Sequence, residues 1–209
     1  MKREPVVMVH GINDSSAGLR TMRQVLEHHG HHVYAPDLKP NDGRHGIKKM
    51  AEFLRDYIDS KIPEGPFDLI AFSMGGIIGR YYLQRLGGLD RVKRIVLVSS
   101  PHQGTIWGHV YPLPGVKDMA VGSEFLKELN TDVDVLGNKP CLTIWTPYDI
   151  TIWPPQHCIL PNAENHEVKV WRHGAMMKDP QVIKKVVEFL DVPEVQSSPV
   201  VVGTAERNF

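Results

Sequence analysis

The sequence predicts an α/β fold: a mostly parallel central sheet with helices on both faces. Three observations carry this. Apolar runs alternate with amphipathic segments along the chain. Several runs are continuously apolar, as in strands covered on both sides, instead of alternating with polar residues. The chain has 209 residues, 42% of them hydrophobic and 23% charged. That is enough for one domain with its own core, burying roughly 70% of the unfolded surface without disulfides or metal.

The elements follow in order. Pro5–His10 reads as a buried strand through Val6, Val7, Met8 and Val9. Leu19–His29 reads as a helix with Leu19, Met22, Val25 and Leu26 on one face, stopped by Gly30. His32–Ala35 is a short strand ended by Pro36, and Ile47–Ile62 is a second helix broken by Pro63 and Gly65. Phe67–Phe72 is a strand, Met74–Leu86 a helix closed by Gly87 and Gly88, and Arg94–Ser99 a strand. Glu124–Asn130 is a short helix after Ser123, and Cys141–Thr146 and Glu167–Trp171 are strands. Pro180–Leu190 is the last helix, with Asp179 as cap and Pro180 at its first position. The domain is expected over 1–194, with a loosely ordered tail over 195–209 in which Pro199–Val202 is able to dock as an edge strand.

Composition excludes several classes. Lys+Arg and Asp+Glu are both 24, so the formal net charge is zero. A phosphate-neutralising nucleic-acid binder would carry a basic excess. No apolar run reaches the length of a membrane span, and the N-terminus lacks the layout of a signal peptide. The expectation is a cytoplasmic protein, or a secreted one if a signal has been removed. The two cysteines, Cys141 and Cys158, are too few for a disulfide framework or a thiolate zinc site; whether they pair with each other stays open.

The strongest chemical signal is Ala71-Phe72-Ser73-Met74-Gly75-Gly76, between an apolar strand and a helix. A serine there sits on a sharp strand-to-helix turn, with small residues two before and two after letting the backbones pass. The helix N-terminus beside Ser73 favours developing negative charge. The plainer reading is a buried strand followed by a glycine-loosened helix. The second signal is His10-Gly11-Ile12-Asn13 after the first strand. A turn there can aim a backbone N–H at a reacting carbonyl, so Ile12 and Met74 are the expected oxyanion donors; one such donor is worth about 3–4 kcal/mol. His10 is read as structural, because the base in this arrangement comes last in chain order. Asp149 lies just past the strand Cys141–Thr146, and His173 just past Glu167–Trp171. Taken singly they read as a turn aspartate and a surface histidine. Three strand ends carrying Ser73, Asp149 and His173 in that order suit a nucleophile, its orienter and its base.

The His10-Gly11-Ile12 turn, the Ala71–Gly75 elbow, the segment Ser100-Pro101-His102-Gln103-Gly104-Thr105 and the late Asp149 and His173 resemble the α/β-hydrolase superfamily, and within it the small bacterial lipases and esterases. The elbow departs from the commoner pattern in having Ala, not Gly, at its first position. The resemblance covers roughly Pro5 to Leu190 and implies a minimal fold without a large lid domain. It also implies carboxylic-ester hydrolysis through an acyl-enzyme on Ser73, no cofactor and no metal. The implied partner is a small-molecule ester or lipid, with transient contact to a lipid surface. An acyltransferase or amide hydrolase on the same fold is the alternative, and a non-catalytic binding module the third reading. A binding module has no need of all three residues.

Weaker features remain. Trp107, Ile150 and Trp153 either wall the acyl site or merely pack onto the core. His28, His29, His31 and His32 read as a solvated helix end, since sequence neighbours seldom converge on one ion. The segment 106–114 shows no period. Acyl-chain length, natural substrate and oligomeric state are not encoded in any pattern found.

Overall fold

The computed structural model describes residues 3–192. The tail expected over 195–209 lies outside the described residues. The elements are β1 (Val6–Val9), α1 (Arg20–His28), β2 (Val33–Tyr34), α2 (Ile47–Lys61), β3 (Phe67–Phe72), α3 (Met74–Arg85), β4 (Val92–Val98), α4 (Pro114–Asp118), α5 (Glu124–Asn130), β5 (Cys141–Trp145), β6 (Glu164–Glu167) and α6 (Pro180–Asp191). They build a six-stranded sheet in the order β2-β1-β3-β4-β5-β6, with every neighbouring pair parallel.

The continuous apolar strands are explained by what covers them. Val7, Val9, Leu69, Ala71, Ile95 and Leu97 face a core shared with α2, α3 and α5. Their alternates Val6, Met8, Ile70, Phe72, Val96 and Val98 face a second core shared with α1 and α6. Side chains of a strand alternate between faces, so a strand buried on both must be apolar throughout. The Asp179 side chain accepts from the Gln181 N–H at 2.8 Å and caps α6. Ser123 does the same for α5 through the Leu126 N–H.

Three expectations are corrected. The last strand pairs over Glu164–Glu167, against Leu142–Trp145, and not over Glu167–Trp171. Its residues are mostly exposed. An edge strand pairs through its backbone and needs no apolar pattern, whereas buried Val168 and Val170 belong to the core and mimic a strand by their spacing. Second, the segment that showed no period holds a 3-10 turn at Ile106–His109 and then α4. Pro114 at its first position was the available signal. Third, His31 is buried, unlike its exposed neighbours His28, His29 and His32. It is hydrogen-bonded to Arg3, and burial lowers its pKa. Cys141 and Cys158 are both buried and unpaired.

Because the strands run parallel, their carboxyl ends share one rim. The turns after β1, β3, β4 and β5 all open there, and this rim holds the site.

Candidate active site

Ser73 ends β3 and begins α3. Its φ is +54° and its ψ −125°, a conformation that costs a non-glycine residue of order 1–3 kcal/mol. It is held by the Ser73 N–H donating to the Val98 carbonyl at 2.9 Å and by the Gly76 N–H donating to the Ser73 carbonyl at 3.0 Å. The following residues must be bare. A Cβ on Gly75 would lie 2.5 Å from the His10 carbonyl oxygen and 2.7 Å from that of Val9. A Cβ on Gly76 would lie 1.9 Å from Ser100 Oγ. The glycines therefore let α3 start pressed against the turns after β1 and β4.

His10 is fully engaged by backbone. Its Nδ1 donates to the Gly11 carbonyl at 2.8 Å and its Nε2 accepts from the Leu38 N–H at 3.0 Å. That fixes a neutral tautomer and shapes the turn that carries Ile12. The Ile12 N–H has no hydrogen-bond partner among the described residues. The Met74 N–H stands at the first position of α3, ahead of any intrahelical acceptor.

Asp149 follows β5 in a tight turn and is 1% exposed. Its Oδ1 accepts from the N–H groups of Thr151 at 2.9 Å and Ile152 at 3.0 Å. Its Oδ2 lies 2.7 Å from His173 Nδ1. His173 opens a 3-10 turn, His173–Lys178. Its Nε2 lies 2.9 Å from Ser73 Oγ, and its ring rests on Phe72 at 4.8 Å between centroids. With Nδ1–H donating to the carboxylate, Nε2 is left to accept the serine hydroxyl proton. Residues 73, 149 and 173 thus form one hydrogen-bonded chain. Burial and the nearby Asp149 push the Cys158 thiol well above its ordinary range, so it stays neutral beside that carboxylate. Two other aspartates that precede β5 are engaged elsewhere: Asp132 by Arg85 and Gln84, and Asp134 by Asn162.

A cavity of about 460 Å³ opens at Ser73. Trp107, Tyr111, Leu113, Val116, Met119, Ile150 and Ile152 give it an apolar wall; Asn13, Asp42, Thr105 and Thr151 give it a polar margin. Of the three expected wall residues, Trp107 and Ile150 line it and Trp153 does not. The reason is the way two loops are laced together. The Ile106 N–H donates to the Trp153 carbonyl at 3.0 Å, the Trp153 N–H to Thr105 Oγ1 at 3.2 Å, and Trp107 Nε1 to the Ile150 carbonyl at 2.8 Å. This lacing keeps Trp153 outside the cavity and half-exposed. Leu113 belongs to the segment 106–114, whereas Val116 and Met119 were missed because they come from α4 and the turn after it. His102, in the segment after β4, is wholly buried, and neither ring nitrogen has a partner among the described residues. Burial and the nearby Arg80 hold its pKa well below the ordinary value.

Sheet order, elbow and rim define a hydrolase class of fold. The chain belongs to the alpha/beta hydrolase fold family, whose model matches residues 4–126. That match contains the elbow but ends before Asp149 and His173. The chain is similar to the lysosomal thioesterase PPT2 of Mus musculus, 32% identical over 109 residues, 48% of this chain and 35% of the mouse protein. It is also similar to polyketide synthase PksR of Bacillus subtilis (strain 168), 39% identical over 60 residues, 28% of this chain and 2% of that protein. It therefore spans far less than two thirds of either relative. Its fold is similar to that of the mature Bacillus licheniformis lipase BlEst2, with a TM-score of 0.75 at 18% identity over 91% of this chain and 93% of that one. Among the described residues, no helix is long and apolar enough to cross a membrane.

Proposed function

We propose that the protein is a serine hydrolase that cleaves carboxylic esters of apolar acyl groups through an acyl-enzyme. The observation that carries this reading is the hydrogen-bonded chain from Ser73 Oγ through His173 to Asp149, at the mouth of an apolar cavity. Ser73 Oγ attacks the ester carbonyl while His173 Nε2 takes its proton. Asp149 keeps Nδ1 protonated and stabilises the imidazolium. The N–H groups of Ile12 and Met74 receive the oxyanion. His173 then delivers the proton to the departing alcohol, leaving an acyl group on Ser73. Water, deprotonated by the same nitrogen, attacks that acyl group and releases the acid.

The acyl chain lies against Leu113, Val116, Met119 and Ile152, where each buried methylene gains about 0.8 kcal/mol. The mouth is rimmed by exposed apolar side chains, among them Trp107, Tyr111 and Ile150, which suits a substrate drawn from an apolar surface. A second reading, hydrolysis of acyl thioesters by the same steps, is favoured by the similarity to the mouse thioesterase. The test is a hydrolysis screen over p-nitrophenyl esters and acyl thioesters of graded chain length, with a fluorophosphonate to label the nucleophile. Labelling at Ser73 and turnover rising with chain length until the cavity is filled support the reading. No labelling, and no turnover of either series, sinks it.

A further inference from the structure

We propose that Tyr148 and Trp171, stacked on each other, form a positioning clamp that holds His173 against Asp149. This rests on the reading of Ser73, His173 and Asp149 as the catalytic residues. Tyr148 immediately precedes the acid, and Trp171 lies two residues before the base. Their rings stack with centroids 4.2 Å apart and planes 3° from parallel. Trp171 is 75% exposed, so hydrophobic burial does not account for where it sits.

The need for a clamp follows from the sheet. The ladder between β5 and β6 ends at the pair Trp145 and Glu167, with one further bond from the Val168 N–H to the Trp145 carbonyl at 2.9 Å. Beyond it the two chains leave regular pairing, and each must still deliver one reacting group. Two contacts bridge them there. In the buried layer, Thr146 Oγ1 donates to the Val170 carbonyl at 2.8 Å and accepts from the Tyr148 N–H at 3.3 Å. In the exposed layer lies the ring pair. The acid loop and the base loop are thus joined within three residues of Asp149 and of His173. Asp149 also has its own backbone donors, Thr151 and Ile152. The clamp's task is therefore to hold the base loop to an acid already in place.

Neither residue lines the Ser73 cavity, so the pair acts through His173 and not on substrate. A catalytic group misplaced by about 1 Å costs about a hundredfold in rate. The test is steady-state hydrolysis of p-nitrophenyl butyrate by the parent, Trp171→Ala, Trp171→Phe, Tyr148→Leu and the double variant Tyr148→Leu/Trp171→Ala. It is accompanied by proton NMR of the His173 Nδ1–H. Trp171→Ala is expected to lower kcat by about ten- to a hundredfold with KM unchanged, and to broaden the Nδ1–H signal. Trp171→Phe restores both, and the double variant is no worse than either single one. An unchanged kcat in Trp171→Ala, a rise in KM alone, or failure of phenylalanine to restore the rate overturns the clamp. Ser73→Ala is assayed alongside: if it stays active the catalytic reading itself falls, and if it is inactive while Trp171→Ala matches the parent, the clamp alone falls.

Discussion

The two ends of β3 both bury a polar side chain, and they do different things. At the amino end, Asp68 is wholly buried and its cationic partner is Arg94, 3.3 Å away. At the carboxyl end, Ser73 is nearly as buried, but it meets an imidazole and, through it, a carboxylate. Burial dominates at Asp68 and, despite Arg94, raises its carboxyl from the ordinary 3.8 to about 6. At Ser73 the surroundings supply an acceptor for its proton and an open cavity. Burying a polar group perturbs it at either end; a reaction needs convergence from other strands, which the amino ends of this sheet do not bring to Asp68.

Four measurements sharpen that contrast, the first two at the carboxyl end. Ser73→Ala should reduce ester turnover by on the order of 10⁶-fold while circular dichroism stays that of the parent; appreciable residual turnover would remove Ser73 as nucleophile. Asp149→Asn should lower kcat by on the order of 10⁴-fold. Its amide oxygen can still serve the Thr151 and Ile152 N–H groups, so the turn persists while the NH₂ faces His173 and imposes the wrong tautomer. A loss of less than tenfold would place the orienting acid elsewhere.

The third measurement addresses the amino end. Between pH 4 and 6 the folded state keeps a proton on Asp68 that the unfolded chain has released. Stability through this group is therefore full below pH 4 and declines as pH rises to 6, by about 3 kcal/mol. Asp68→Asn has nothing to titrate. Denaturant melts across this window should show the parent losing stability relative to the variant, with ester turnover at pH 7 unaffected. Parallel pH curves for the two proteins would contradict the burial argument.

The smallest effect is expected at the cavity roof. Trp107→Phe removes the hydrogen bond to the Ile150 carbonyl, worth about 1 kcal/mol. It should raise KM for long-chain esters several-fold with kcat for short ones unchanged. A uniform loss across chain lengths would mean the roof also orders the elbow.

Much of this molecule was legible in its sequence because the determinants are local. Val6–Val9 and Phe67–Phe72 had to be doubly covered strands, being apolar at every position or nearly so. Gly75 was legible as the small residue two after Ser73, and the Val9 and His10 carbonyls standing where its side chain would be explain why. Asp149 and His173 were legible through their place after apolar runs, although β6 itself lies a few residues earlier than its pattern suggested. His10 was legible as structural, and its two backbone bonds explain why.

Tertiary structure alone decided the rest. The amino-acid pattern determined that strands and helices alternate and that a serine caps β3, because solvent exclusion and steric clash act on each segment separately. It did not determine the wall of the cavity, the place of Trp153 outside it, or the burial of His31. The cavity wall and Trp153 depend on loops more than forty residues apart, laced by bonds in each of which at least one partner is a backbone N–H or carbonyl, and His31 depends on its contact with Arg3. A peptide N–H or carbonyl is the same in nearly every residue, so Thr105 and Trp107 carry the side-chain half of the lacing while the backbone groups they meet leave no mark on the sequence.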